Sequence, residues 1–105
     1  MSLLLFTLLF IFQESIKPGM KVEYWGLARG SKGTKFSIHS IDKSYVICDP
    51  PKAKNLQSVP KKDFQQVWEL WKDYILGEVQ RQFIRDEITR YSSYIISIYK
   101  HLDLL

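Results

Sequence analysis

Arg29, Lys32, Lys35 and Lys43 crowd one short stretch of a chain of 105 residues. Guanidinium and ammonium groups at that density can neutralise the phosphates of a polyanion, and this alone supplies sequence-independent affinity. Between residues 17 and 62, ten Lys and Arg stand against three Asp and Glu, a net of +7. The first 16 residues carry a net of −1 and residues 63–105 a net of −2, so the overall +4 conceals a basic middle. Such asymmetry speaks about partners and solubility rather than about fold. Arg90, in the run Arg90-Tyr-Ser-Ser, is expected at the start of a last helix, where backbone N–H groups and the dipole favour a phosphate. Tyr24, Trp25, Tyr45 and Tyr91 are aromatic residues on which bases could stack. Arg29, Lys32, Lys35, Lys43 and Arg90 are therefore the expected nucleic-acid contacts.

A second set is Trp25, Trp68 and Trp71, which could line an aromatic pocket for a small molecule. The spacing of Trp68 and Trp71, however, closely fits a helix stripe packed on a sheet, and that is the favoured reading. A third set is His39 and Cys48, expected on neighbouring strands. A nucleophilic thiolate needs an adjacent base or cation, but a cysteine at a strand end is more often a small buried hydrophobe.

Other chemistry is missing. The chain has one cysteine, which excludes an intrachain disulfide, and only two histidines, His39 and His101. Neither paired cysteines nor His-Glu-x-x-His occurs, so a dedicated zinc site is not expected. The run from Gly26 to Thr34 has the composition of a phosphate loop without the Gly-x-x-x-x-Gly-Lys-Ser/Thr spacing. No acidic residue is followed two positions later by lysine, which removes a common local nuclease pairing. Asp86 and Glu87 are adjacent, and adjacent helical residues point in different directions. These absences predict a protein that is not an enzyme and carries no cofactor or metal.

The elements that must position these residues can be read from periodicity. The length suits a single domain over 1–105, divided into an apolar start (1–16), a sheet region (20–59) and a helical region (61–105). Met20, Val22 and Tyr24 alternate with Lys21, Glu23 and Trp25, as in a half-buried strand. Gly26 to Gly33 predicts a flexible basic loop. Thr34–Ile41 and Tyr45–Cys48 predict a hairpin about the tight turn Asp42-Lys43-Ser44, stopped by Pro50-Pro51. Leu56–Val59 suits a short edge strand.

From Lys61 to Leu76, Phe64, Val67, Trp68, Trp71, Tyr74 and Ile75 form one helical stripe, with Gly77 placed as a left-handed cap. Beyond it, Val79, Phe83, Ile84 and Ile88 suit a short second helix. Ser92 or Ser93 could cap a third, with Tyr94 or Ile95, Ile98, Leu102 and Leu105 on its buried side. A single helix over 78–103 is the alternative. The expected fold is α+β: a three- or four-stranded antiparallel sheet, strongly bent and barrel-like, packed by two or three C-terminal helices.

Residues 3–12 hold nine apolar residues and one Thr. No Lys or Arg precedes them, no small-x-small cleavage site follows, and ten residues are too few to span a bilayer. They are expected to complete the core or to form a homo-oligomer interface, as the aromatic helices also could. A cytoplasmic protein is expected, with an exported one as the alternative if residues 3–12 belong to a degenerate signal. Membrane association is not expected. The pattern as a whole predicts a non-catalytic binding protein with nucleic acid as its partner. The alternatives are a self-associating interaction protein and a small-molecule binder.

Overall fold

The computed structural model describes residues 15–103. The expectations for residues 3–12 and Leu105 lie outside that range. Four strands, β1 (Lys21–Gly26), β2 (Gly30–Ile41), β3 (Tyr45–Asp49) and β4 (Gln57–Pro60), form one antiparallel sheet. They lie side by side in chain order, β1-β2-β3-β4. Three helical segments follow: α1 (Lys61–Ile75), α2 (Arg81–Phe83), which runs directly into a π-turn at 84–88, and α3 (Ser92–His101).

The fold class is thus α+β, but the expected strong, barrel-like bend is absent. The sheet is open, and among the described residues β1 and β4 are its outer strands. A four-stranded sheet needs its apolar face covered rather than its edges closed, and the helices provide that cover. α1 packs against β4 and α3, and α3 against β1.

The strand residues alternate as a half-covered sheet requires. Val22, Phe36, Ile38, Val46, Cys48 and Val59 point into the core and are almost fully buried. The Asp42-Lys43-Ser44 turn is held as its sequence suggests: the Asp42 carboxylate accepts the N–H groups of Ser44 and Tyr45 at 2.8 and 2.7 Å. β2 is longer than expected, because residues 30–33 join it with Gly30 and Gly33 at positive φ. The predicted flexible loop therefore shrinks to Leu27–Arg29, the turn between β1 and β2.

The stripe on α1 is realised with Phe64, Val67, Trp71 and Tyr74 buried. Trp71 stacks on Tyr74 with centroids 5.6 Å apart and ring planes 21° apart. Tyr99 of α3 meets Phe64, Trp68 and Trp71 edge-on and donates its hydroxyl proton to the Phe64 carbonyl. Each such aromatic side chain, fully buried, stabilises the fold by about 1.5–3 kcal/mol. Gly77 ends α1 at φ 81°, the left-handed conformation expected of it.

Beyond Gly77 the chain breaks twice, so a single helix over 78–103 is not formed. Thr89 is extended (φ −158°, ψ 135°), and its hydroxyl donates to Asp63 of α1 at 2.8 Å while accepting the Tyr91 N–H at 3.0 Å. Neither Ser92 nor Ser93 caps α3: Tyr91 occupies that position, and no side chain bonds the end. α3 is also more deeply enclosed than one stripe would make it, with Ile95, Ile96, Ser97, Ile98 and Tyr99 all buried. The Ser97 hydroxyl accepts the Trp25 N–H at 2.9 Å, tying α3 to β1. Among the described residues no helix is long and apolar enough to cross a membrane.

Candidate functional site

The β1–β2 hairpin and the end of α1 meet at one end of the domain. The contact is specific: the Tyr74 hydroxyl accepts the Leu27 N–H at 2.8 Å. Tyr74 is 3% exposed, so a buried side chain holds the surface turn. Gly77 then reverses the chain and brings Arg81 and Gln82 of α2 back towards the hairpin. A cleft of about 540 Å³ results, lined by Arg29 and Lys32 from the hairpin, Tyr74 and Gly77 from the end of α1, and Arg81 and Gln82 from α2.

Among the described residues three cationic side chains line this cleft, and none of those lining it carries a carboxylate. Two acidic residues adjoin the lining in sequence: Asp73 precedes Tyr74, and Glu78 borders an adjoining hollow with Phe83. The last-turn carbonyls of α1 would oppose an anion if left bare. Three of them are occupied: Lys72 O accepts from Leu76, Tyr74 O from Gly77, and Asp73 O from Glu78 and Val79. The cleft therefore offers positive charge, a phenol and side-chain amides to an anionic ligand.

The other predicted contacts fall elsewhere. Lys35 is exposed on β2 directly across from Glu23 of β1, so its charge has an acidic neighbour in register. Lys43 sits in the β2–β3 turn, separated from Arg29 and Lys32 by most of the length of β2, about 30 Å of strand. Arg90 is exposed beside Thr89, which is pinned to the first turn of α1, whereas the cleft opens at its last turn. Its guanidinium lies 5.1 Å from the Tyr91 ring centroid. The cations expected as one face are thus distributed between opposite ends, and only Arg29 and Lys32 come together.

Arg81 is the cation the sequence pattern missed. Gly77, which forces a chain reversal after α1, is the signal that could have pointed to it, once the direction of α1 against the hairpin was known.

The tryptophans line neither this cleft nor the hollow beneath Tyr24 and Pro50. Trp71 is 1% exposed within the core, and Trp68 packs edge-on against Tyr99. Trp25 lies partly buried against the core, with the Lys100 ammonium 5.3 Å from its ring centroid.

His39 and Cys48 do not form a pair. Cys48 is opposite Ile38 in the β2–β3 register, and the register shifts between Ile38 and Ser40, leaving His39 at the irregularity. Cys48 faces the core, where burial pushes its thiol up to about 12, and His39 is exposed beside the Ser40 hydroxyl. Asp86 lies against Arg85 at 3.0 Å, and that guanidinium holds its carboxyl below the usual range. Among the described residues no three His, Cys, Asp or Glu side chains converge on a possible metal position. Comparison with known family models, curated proteins and solved structures returned no match to the chain.

Proposed function

We propose that the chain is a non-catalytic binding module for nucleic acid and contacts the phosphate backbone through the cleft between the β1–β2 hairpin and α2. The carrying observation is the convergence of Arg29, Lys32 and Arg81 on one cleft whose lining, among the described residues, carries no carboxylate. Cations spread over a surface chiefly keep a protein soluble, whereas cations gathered in a concavity focus their field on whatever enters. Arginine adds a planar fork of donors that suits phosphate oxygens.

Fluorescence anisotropy with labelled DNA and RNA oligonucleotides, titrated with salt, tests this reading. Binding should weaken steeply as salt rises. Replacing Arg29, Lys32 and Arg81 together by Ala should flatten the log–log salt slope by about 2–3, at roughly 0.7–0.9 for each phosphate no longer neutralised. Absence of binding at low salt, or an unchanged slope in the folded triple variant, overturns the assignment.

A further inference from the structure

We infer that the cleft takes single-stranded nucleic acid, seating one unstacked nucleotide between the hairpin and α2 while the cations hold its flanking phosphates. This rests on the nucleic-acid reading above and specifies the form of the ligand.

The shape of the site leads to this conclusion. At about 540 Å³ the cleft falls in the size range of small-ligand sites, roughly 300–1,000 Å³. Duplex DNA presents its phosphates on the outside of a stiff rod, with its bases stacked inside. Proteins that read it present a convex element, an α-helix or a two-stranded ribbon, to a groove. Here the cations border a hollow instead. A duplex could touch its mouth but could not fill it, whereas a single strand can turn a base into it.

The lining suits a base. Leu27 and Val79 offer apolar surface against which its flat face can pack. Gln80 and Gln82 carry carboxamides, each both donor and acceptor, which is what a base edge requires. The Tyr74 hydroxyl spends an acceptor position on the Leu27 N–H and keeps its own proton to donate into the cleft. Gly26 and Gly77 add no side chain to the wall, so the backbone can approach the ligand closely.

Two features separate this site from a patch of surface lysines. The phenol is almost fully buried and fixed by its stacking on Trp71. The turn bearing Arg29 is fixed in turn by the phenol. The hairpin wall of the cleft is thus held in place before a ligand arrives, which lowers the ordering cost of binding.

The test compares fluorescein-labelled single-stranded DNA and RNA of about 12 nucleotides, within the usual site sizes, with the matched duplexes at equal salt. The full chain is used throughout. Single strands should bind about tenfold more tightly than duplexes, the scale set by one base contact. The double variant Gln80→Ala, Gln82→Ala should lose several-fold affinity for single strands with its salt slope unchanged, because neither amide faces a phosphate. The triple cation variant should instead lose the slope. Duplex binding equal to or tighter than single-strand binding overturns this inference and leaves the nucleic-acid reading standing. An unchanged affinity in the folded glutamine variant also overturns it. Failure of every oligonucleotide to bind, or tighter binding of a poly-glutamate peptide, overturns both.

Discussion

Replacing Tyr74 by Phe deletes one oxygen and should loosen one turn. The ring stays, so its stacking on Trp71, at 5.6 Å, is kept. The deleted atom is the acceptor of the Leu27 N–H, a bond of 2.8 Å joining positions 47 residues apart. A fully buried N–H left without a partner costs about 1–3 kcal/mol. Leu27, however, is 41% exposed, so water can reach the freed N–H, and the net loss should be nearer 0.5–1.5 kcal/mol. For a domain of this size each 1 kcal/mol corresponds to about 4–8 °C in Tm.

Urea unfolding should show a lower midpoint at constant m, since the surface exposed on unfolding is unchanged. Native-state hydrogen exchange should show faster exchange at the Leu27 amide, with amides in the middle of α3 quickened only by the global change. Tyr45→Phe is the control: its ring is 41% exposed at the start of β3, and its loss should stay within about 0.5 kcal/mol. An unchanged Leu27 exchange rate together with an unchanged midpoint would refute the reasoning. The turn would then be held by its own backbone, and the cleft would not be preset by α1.

Cys48 should be inert to iodoacetamide in the native protein at pH 8 and react once urea unfolds it, as peptide mass mapping would show. Its folded thiol is raised by burial to about 12, above an unfolded value near 8.5, so the protonated form is the one the fold favours. That contribution is complete below about pH 8.5 and is lost as pH climbs towards 12. Tyr24, Tyr94 and Tyr99 are raised by burial as well and should steepen the same alkaline decline. A urea midpoint that stays flat from pH 8 to 11 would contradict this. Gly77→Ala should destabilise by about 1–2 kcal/mol, because the backbone at φ 81° disfavours a Cβ although nothing lies within 4 Å of it. An unchanged Tm in a thermal scan would show that the helix end relaxes without penalty.

The parts of the fold legible from sequence are those governed by local periodicity. The α1 stripe, the Asp42 turn, the left-handed Gly77 and the β2–β3 hairpin all depend on residues a few positions apart. That the sheet stays open was not legible, because it depends on how much cover α1 and α3 provide. The missing side-chain cap at Ser92 follows from the long-range bond between Thr89 and Asp63, which sets where α3 begins. The site was half legible. Arg29 in the turn and Lys32 at the start of β2 are three residues apart and had to stay together, whereas Arg81 reaches them only through the reversal at Gly77. Lys43 looks like a neighbour of Arg29 and Lys32 when charge is summed along the chain, and the length of β2 carries it away, as the length of α1 does Arg90. Trp68 and Trp71 have the residue types of a ligand pocket, but their spacing commits them to the core.

The bond from the Trp25 N–H to the Ser97 hydroxyl bears on how copies of this chain meet one another. An open sheet has two edges whose unpaired backbone groups can recruit a strand from a neighbouring molecule. At the β1 edge, α3 occupies one of those donors with a side chain, and Lys21 sets a charge at the strand's start. At the other edge β4 is only four residues long and ends in Pro60, which has no N–H to offer. Among the described residues each margin of the sheet is therefore a poor template. The same helix that completes the core also guards the sheet against runaway growth by strand addition.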